Sequence, residues 1–217
     1  MYDGVIFDQD GILLDSGINK FYWMDEIRAE QARKKGFDFS VDDAIKIVKA
    51  NSPEPVERLL QKKGMTWEHL KEMELAVENR KIHKIEHGEI TLFPEVKNVL
   101  NSLDKKKAVV TNAPLLSTRM MMRYFGISQE FGVVNAPHTD DMRKFFSRKK
   151  PKPVMIKETM DKMNLENPLM VGDTGSDLKA AENAGIDSVH INSYGFETDV
   201  EPTYVADSIK EVLEIVE

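Results

Sequence analysis

Short apolar runs that end abruptly in polar or acidic residues are the feature that most constrains this chain. The first, Val5-Ile6-Phe7, is β-branched and aromatic, the signature of a strand buried on both faces, and it leads into Asp8-Gln9-Asp10-Gly11. Ala108-Val109-Val110 likewise leads into Thr111-Asn112, and Leu169-Met170-Val171 into Gly172-Asp173-Thr174-Gly175-Ser176-Asp177. Val133-Val134 and Ser188 to Ile191 supply further strands. Between them, helical spacing appears from Val96 to Leu103, from Met120 to Phe125, from Val154 to Met163, from Leu178 to Ala184 and from Ile209 to Val216. This alternation predicts an α/β fold with a Rossmann-like, doubly wound parallel sheet. Ligands of such a sheet bind beyond the carboxyl ends of its strands, where the polar clusters fall.

One long stretch breaks the rhythm. Ser16 is placed to cap a helix with Ile18, Phe21, Tyr22, Met24, Ile27 and Ala32 on its apolar face, ending at Gly36. Ser40, Pro53 and Thr66 open three more helical stretches, the last running to about His87, and no strand signal interrupts them. Residues 16–89 therefore read as a small inserted α-helical domain, and residues 1–15 and 90–217 as the Rossmann-like core.

The 217 residues, 41% hydrophobic and 31% charged, describe an ordinary globular chain, and no run approaches the length of a membrane span. No signal segment is evident, so a cytoplasmic location without membrane contact is expected. The absence of cysteine excludes disulfides, thiolate zinc sites and a cysteine nucleophile. A net charge of -7 argues against nucleic acid as a partner.

Asp8 and Asp10 alternate past a strand end and can face the same side, with Gly11 allowing a turn. Two clustered carboxylates suit magnesium, a hard cation that prefers oxygen, and an aspartate can attack phosphorus to form an aspartyl-phosphate. A solvated Asp-rich turn is the other reading of these residues taken alone.

Four motifs taken together resemble the haloacid dehalogenase-like hydrolase superfamily, in its phosphatase branch with a helical cap, the phosphoglycolate phosphatase and beta-phosphoglucomutase-like group. Asp8-Gln9-Asp10-Gly11-Ile12-Leu13-Leu14-Asp15 resembles the first motif, Thr111 the second, Lys150-Pro151-Lys152-Pro153 the third, and Gly172-Asp173 with Asp177 the fourth. The resemblance implies that Asp8 is the nucleophile and Asp10 the acid and base. It implies magnesium on the Asp8 carboxylate, the Asp10 carbonyl and Asp173, with Asp177 orienting the metal's surroundings. Thr111 and the Asn112 backbone N–H are implied to bind the phosphoryl oxygens, and Lys150 to neutralise charge. Simpler readings stand beside these: Asp177 as compensation of a helix dipole, Thr111-Asn112 as a strand end and cap, and Lys149, Lys150 and Lys152 as a solvated basic loop.

The connection from His138 to Arg148 is polar, basic and longer than expected, and its role is open between reaching over the site and contacting a partner. His83, His87 and His138 lack metal-ligand spacing. The cap is expected to close over the nucleophile, with Lys20, Arg28 and Arg58 as candidates to face an anionic leaving group. The expected function is a magnesium-dependent phosphatase acting on a small phosphorylated metabolite, as a monomer or homodimer. A phosphomutase of the same family and a silent binding module on this fold are the alternatives.

Overall fold

The computed structural model describes residues 1–217. Its strands are Gly4–Phe7 (β1), Leu14–Asp15 (β2), Thr91–Leu92 (β3), Lys106–Val110 (β4), Val133–Asn135 (β5), Pro168–Gly172 (β6), Ser188–Ile191 (β7) and Tyr204–Ala206 (β8). The helices are Tyr22–Lys34 (α1), Val41–Lys49 (α2), Pro53–Lys62 (α3), Trp67–Glu86 (α4), Val96–Ser102 (α5), Leu115–Tyr124 (α6), Met142–Arg148 (α7), Val154–Met163 (α8), Gly175–Ala184 (α9) and Val212–Ile215 (α10).

Six strands form a wholly parallel sheet in the order β5-β4-β1-β6-β7-β8. The expected α/β architecture is thus present, and β1 lies where the strand order reverses. Side-chain alternation divides the apolar residues of β1 between two faces. Val5 and Phe7 pack with α5, Met122 of α6 and the C-terminal turns, whereas Ile6 packs with Met155 and Ile156 of α8 and Ala180 and Ala181 of α9. Burial on both faces fixes the register, because a slip by one residue would exchange the two sets.

That register sets the level of the strand ends. Phe7 pairs with Val109 on one side and Val171 on the other. Asp8 follows Phe7 directly, while Thr111 and Asp173 each lie two positions beyond these partners, so all three emerge at one rim. β2 and β3 pair antiparallel, joining the segment that leaves the core to the one that returns.

The chain divides into two compact units, one of residues 1–16, 91–137 and 148–217, the other of residues 17–90 and 138–147. The second unit is helical. Ser40 and Asp43 form a capping box at the start of α2, and Pro53 stands in the first turn of α3. Its interior gathers Ala29, Phe39, Ile47, Val56, Leu60, Leu70 and Met73. Arg28 is buried and neutralised here, with Nε and Nη2 donating to the two Glu74 carboxylate oxygens at 2.7 and 2.8 Å and Nη1 to Asp25 at 2.9 Å. It is therefore no free cation for a substrate.

Two readings of the sequence change. The first helix starts at Tyr22 and not beside Ser16, because the Ser16 hydroxyl donates to Asp10 and Asn19, Lys20 and Phe21 take left-handed conformations before it. The polar connection after His138 is a helix, α7, whose Met142, Phe145 and Phe146 are buried in the interior of the helical unit. Its charges mask a three-residue apolar face. Phe146→Ala is expected to cost about 3–5 kcal/mol, measured by urea unfolding followed through tryptophan fluorescence, since Phe146 lies beside Trp67 with ring centroids 6.1 Å apart. A loss below about 1 kcal/mol would mean that α7 is not packed as described.

Candidate active site

The site is built at the carboxyl ends of β1, β4 and β6. The Asp8 backbone N–H still donates to Val171 O at 2.9 Å, so the first carboxylate is held by the sheet ladder itself. Asp173 follows β6, and Asp177 lies in the first turn of α9, where its Oδ2 accepts from the N–H and hydroxyl of Thr174 at 3.0 and 2.5 Å. Asp177 thus caps α9 with one oxygen, a role beyond the dipole compensation expected of it, and its other oxygen faces Lys150. Gly11, at φ +87°, permits the close approach: a Cβ there would lie 2.0 Å from Asp173 Oδ2.

Lys150 supplies the one ammonium of this cluster. Its side chain is only 1% exposed, with Nζ 2.8 Å from Asp8 Oδ1, 2.5 Å from Asp177 Oδ1 and donating to Val110 O at 2.9 Å. Among the neighbouring lysines, this one meets the strand-end carboxylates. Burial opposes its charge, but Asp177 and Asp8 outweigh that and hold its pKa above the ordinary value.

One cation does not balance three carboxylates. Burial pushes the Asp8 carboxyl up to about 7, with Lys150 pulling it back in part and Asp177 and Asp10 adding to the rise. Burial, then Asp177 and Asp8, also raises Asp173 well above its ordinary value. Both Asp173 oxygens are buried without a hydrogen-bond partner. Ligand oxygens of Asp8, Asp173 and Asp177 all lie within 4.8 Å of one another. Such an oxygen-only, charge-deficient set fits a divalent cation such as magnesium.

The remaining expected residues are placed as follows. Asp10 directs its carboxylate to Ser16, whose hydroxyl donates to Oδ1 at 2.6 Å, and it is not among the three clustered metal-ligand candidates. Thr111 is buried, with Oγ1 accepting from the Ala113 N–H at 3.1 Å. The Asn112 side chain turns to the Lys150 backbone, its Oδ1 accepting from Lys150 N–H at 2.7 Å and its Nδ2 donating to Lys150 O at 3.2 Å. Three supporting contacts were not anticipated. They are the Ser16 hydroxyl on Asp10, the Ser193 hydroxyl on Gly11 O at 2.7 Å, and His190 Nε2 at 3.2 Å from Asp173 O. Only Ser16 carried a signal, its proximity to the acidic motif.

A parallel sheet whose central strand ends in an aspartate, with a lysine and further aspartates from later strand ends, defines a class of α/β hydrolytic enzyme. The family model for haloacid dehalogenase-like hydrolase matches residues 2–185, and the chain belongs to that family. It is 29% identical to a phosphoglycolate phosphatase of Vibrio vulnificus over 232 aligned positions, covering 98% of this chain and 95% of that protein. A phosphoglycolate phosphatase of Vibrio cholerae is likewise 29% identical, with 98% and 96% covered. Among solved structures, CbbY of Rhodobacter sphaeroides in complex with phosphate superposes with a TM-score of 0.73 at 21% identity, covering 98% of this chain and 96% of that one. At that identity the likeness shows the fold.

The carboxyl shifts predict a pH-dependent response to metal. A carboxyl whose folded pKa is raised destabilises the fold as pH climbs from its unfolded value near 3.8 toward about 7. A bound divalent cation relieves that loss, and protons compete with it at low pH. The rise in Tm caused by magnesium, measured by scanning calorimetry, is therefore expected to be small at about pH 5 and to grow through about pH 8. An equal rise across that range would contradict the assignment of the acidic cluster.

Proposed function

We propose that this protein is a magnesium-dependent phosphatase that hydrolyses a small phosphorylated metabolite, of the phosphoglycolate type, through an aspartyl-phosphate. The observation that carries the reading is the buried Lys150 ammonium between Asp8 and Asp177, beside an Asp173 whose oxygens have no hydrogen bond. The phosphoglycolate phosphatases that align over 98% of the chain support this substrate class.

Asp8 attacks phosphorus, forming a new oxygen–phosphorus bond as the bond to the leaving alkoxide breaks. Asp10 gives that alkoxide its proton, and its hydrogen bond from Ser16 holds the carboxyl group in place. Asp10 then takes a proton from a water that attacks phosphorus, and the Asp8–phosphoryl bond breaks to release inorganic phosphate. Thr111, at the end of β4, and the Asn112 backbone N–H bind phosphoryl oxygens. Lys150 favours the nucleophilic, ionised form of Asp8 and offsets charge that builds up in the transition state. Asp8 and Asp173, with the Asp10 carbonyl, would hold magnesium, which supplies the positive charge that lets an anionic nucleophile approach an anionic phosphate.

Two substitutions and one omission test this, with phosphate release from 2-phosphoglycolate and p-nitrophenyl phosphate as the readout. Asp8→Asn leaves no carboxylate to attack and should leave no turnover. Asp10→Asn should lower kcat about 10²- to 10⁴-fold. Chelation of magnesium should abolish activity reversibly. Full turnover by folded Asp8→Asn protein would sink the mechanism, and transfer of the phosphoryl group to a hexose phosphate would point to a mutase.

A further inference from the structure

The chain leaves the helical unit at Ser147 and returns to the core at Arg148, two residues before Lys150. The preceding α7 is anchored by three large apolar side chains in the helical unit. Lys150 is thus tied by a short span of backbone to a segment that belongs to the other compact unit. The position of the ammonium therefore depends on what fixes that span.

It is fixed twice. The Arg148 guanidinium donates to both Glu158 oxygens at 2.7 and 2.6 Å and to Asn135 Oδ1 at 3.4 Å, which ties the span to α8 and the end of β5. Asn112, directly after Thr111 at the end of β4, then grips residue 150 itself. Its carboxamide accepts from the Lys150 N–H and donates to the Lys150 C=O. Only a side chain with a donor and an acceptor on one planar group satisfies both.

We propose that Asn112 is a positioning residue for the phosphoryl-transfer step: its side chain clasps the Lys150 backbone and holds the ammonium on Asp8. The proposal rests on the phosphatase reading above, in which Lys150 stabilises the transition state. It assigns the Asn112 side chain a task separate from that of its backbone N–H. Both hydrogen bonds of the clasp end on the Lys150 backbone.

Displacing a charge-stabilising group by about 1 Å can cost about 10²-fold in rate, so Asn112→Ala should lower kcat about 10- to 100-fold with KM changed less than about threefold. The decisive measurement is a double-mutant cycle with Lys150→Met, read by single-turnover kinetics on p-nitrophenyl phosphate. If Asn112 acts through Lys150, Asn112→Ala costs little further in the Lys150→Met background. A second readout is independent of turnover: the buried Lys150 ammonium should give a slowly exchanging ¹⁵N–H resonance in the wild-type protein that is lost in folded Asn112→Ala. Asn112→Ser, which keeps a polar group but cannot reach both backbone atoms, should behave like Asn112→Ala and serves if that variant does not fold. An unchanged kcat with the resonance retained overturns the proposal, as does an equal loss in both backgrounds. Failure of the phosphatase reading is distinguishable, since wild-type protein would then release no phosphate or Asp8→Asn would remain active.

Discussion

An uneven set of buried charges governs this molecule: three aspartates and one lysine meet where the sheet ends. At an effective dielectric constant of about 20, two like charges about 4 Å apart repel by about 4 kcal/mol. Lys150 answers for Asp8 and Asp177 but leaves both oxygens of Asp173 without a partner. Such a cluster persists only because the backbone beneath it cannot spread. β1 is packed on both faces and paired on both edges, and the glycines at 11 and 172 bring neighbouring segments too close for any side chain. The sheet therefore holds the carboxylates in an arrangement that fits a small divalent cation.

Much of this was legible in the residues. The β1, β4 and β6 segments are continuous apolar runs that end in Asp8, Thr111 and Asp173, because strands buried on both sides permit little else. What escaped was either too short or too exposed to leave a pattern. β2 and β3 have two residues each, and β8 includes Tyr204 and Val205, which lie open on an edge. Charge also concealed structure. The basic residues between 138 and 148 read as a polar connection open to reaching over the site or contacting a partner, although Met142, Phe145 and Phe146 occupy one apolar face among them. Arg28 seemed available to a substrate because nothing in its neighbourhood along the chain announces Glu74, which lies 46 positions away.

Several polar side chains at the rim serve two ends at once. Asp177 caps α9 with one oxygen and meets Lys150 with the other, so the start of a helix and the charge of the site are set by one carboxylate. Ser16 is the last residue of the core before the chain enters the helical unit, and its hydroxyl is committed to Asp10. Asn112 continues the strand that presents Thr111 while its side chain reaches the lysine. Sequence spacing locates such residues but does not say which way a short polar side chain turns.

The placement of α7 bears on how this architecture can be taken apart. Excising residues 17–90 and splicing the ends that the paired β2 and β3 bring together would strip the cover from Met142, Phe145 and Phe146 while leaving them attached to the remaining body. The truncated chain would carry a sticky amphipathic appendage two residues before the buried Lys150. A transplant of the helical module between relatives must therefore move two separate pieces of polypeptide together, and a recombination event that exchanged only the longer piece would yield a protein prone to self-association.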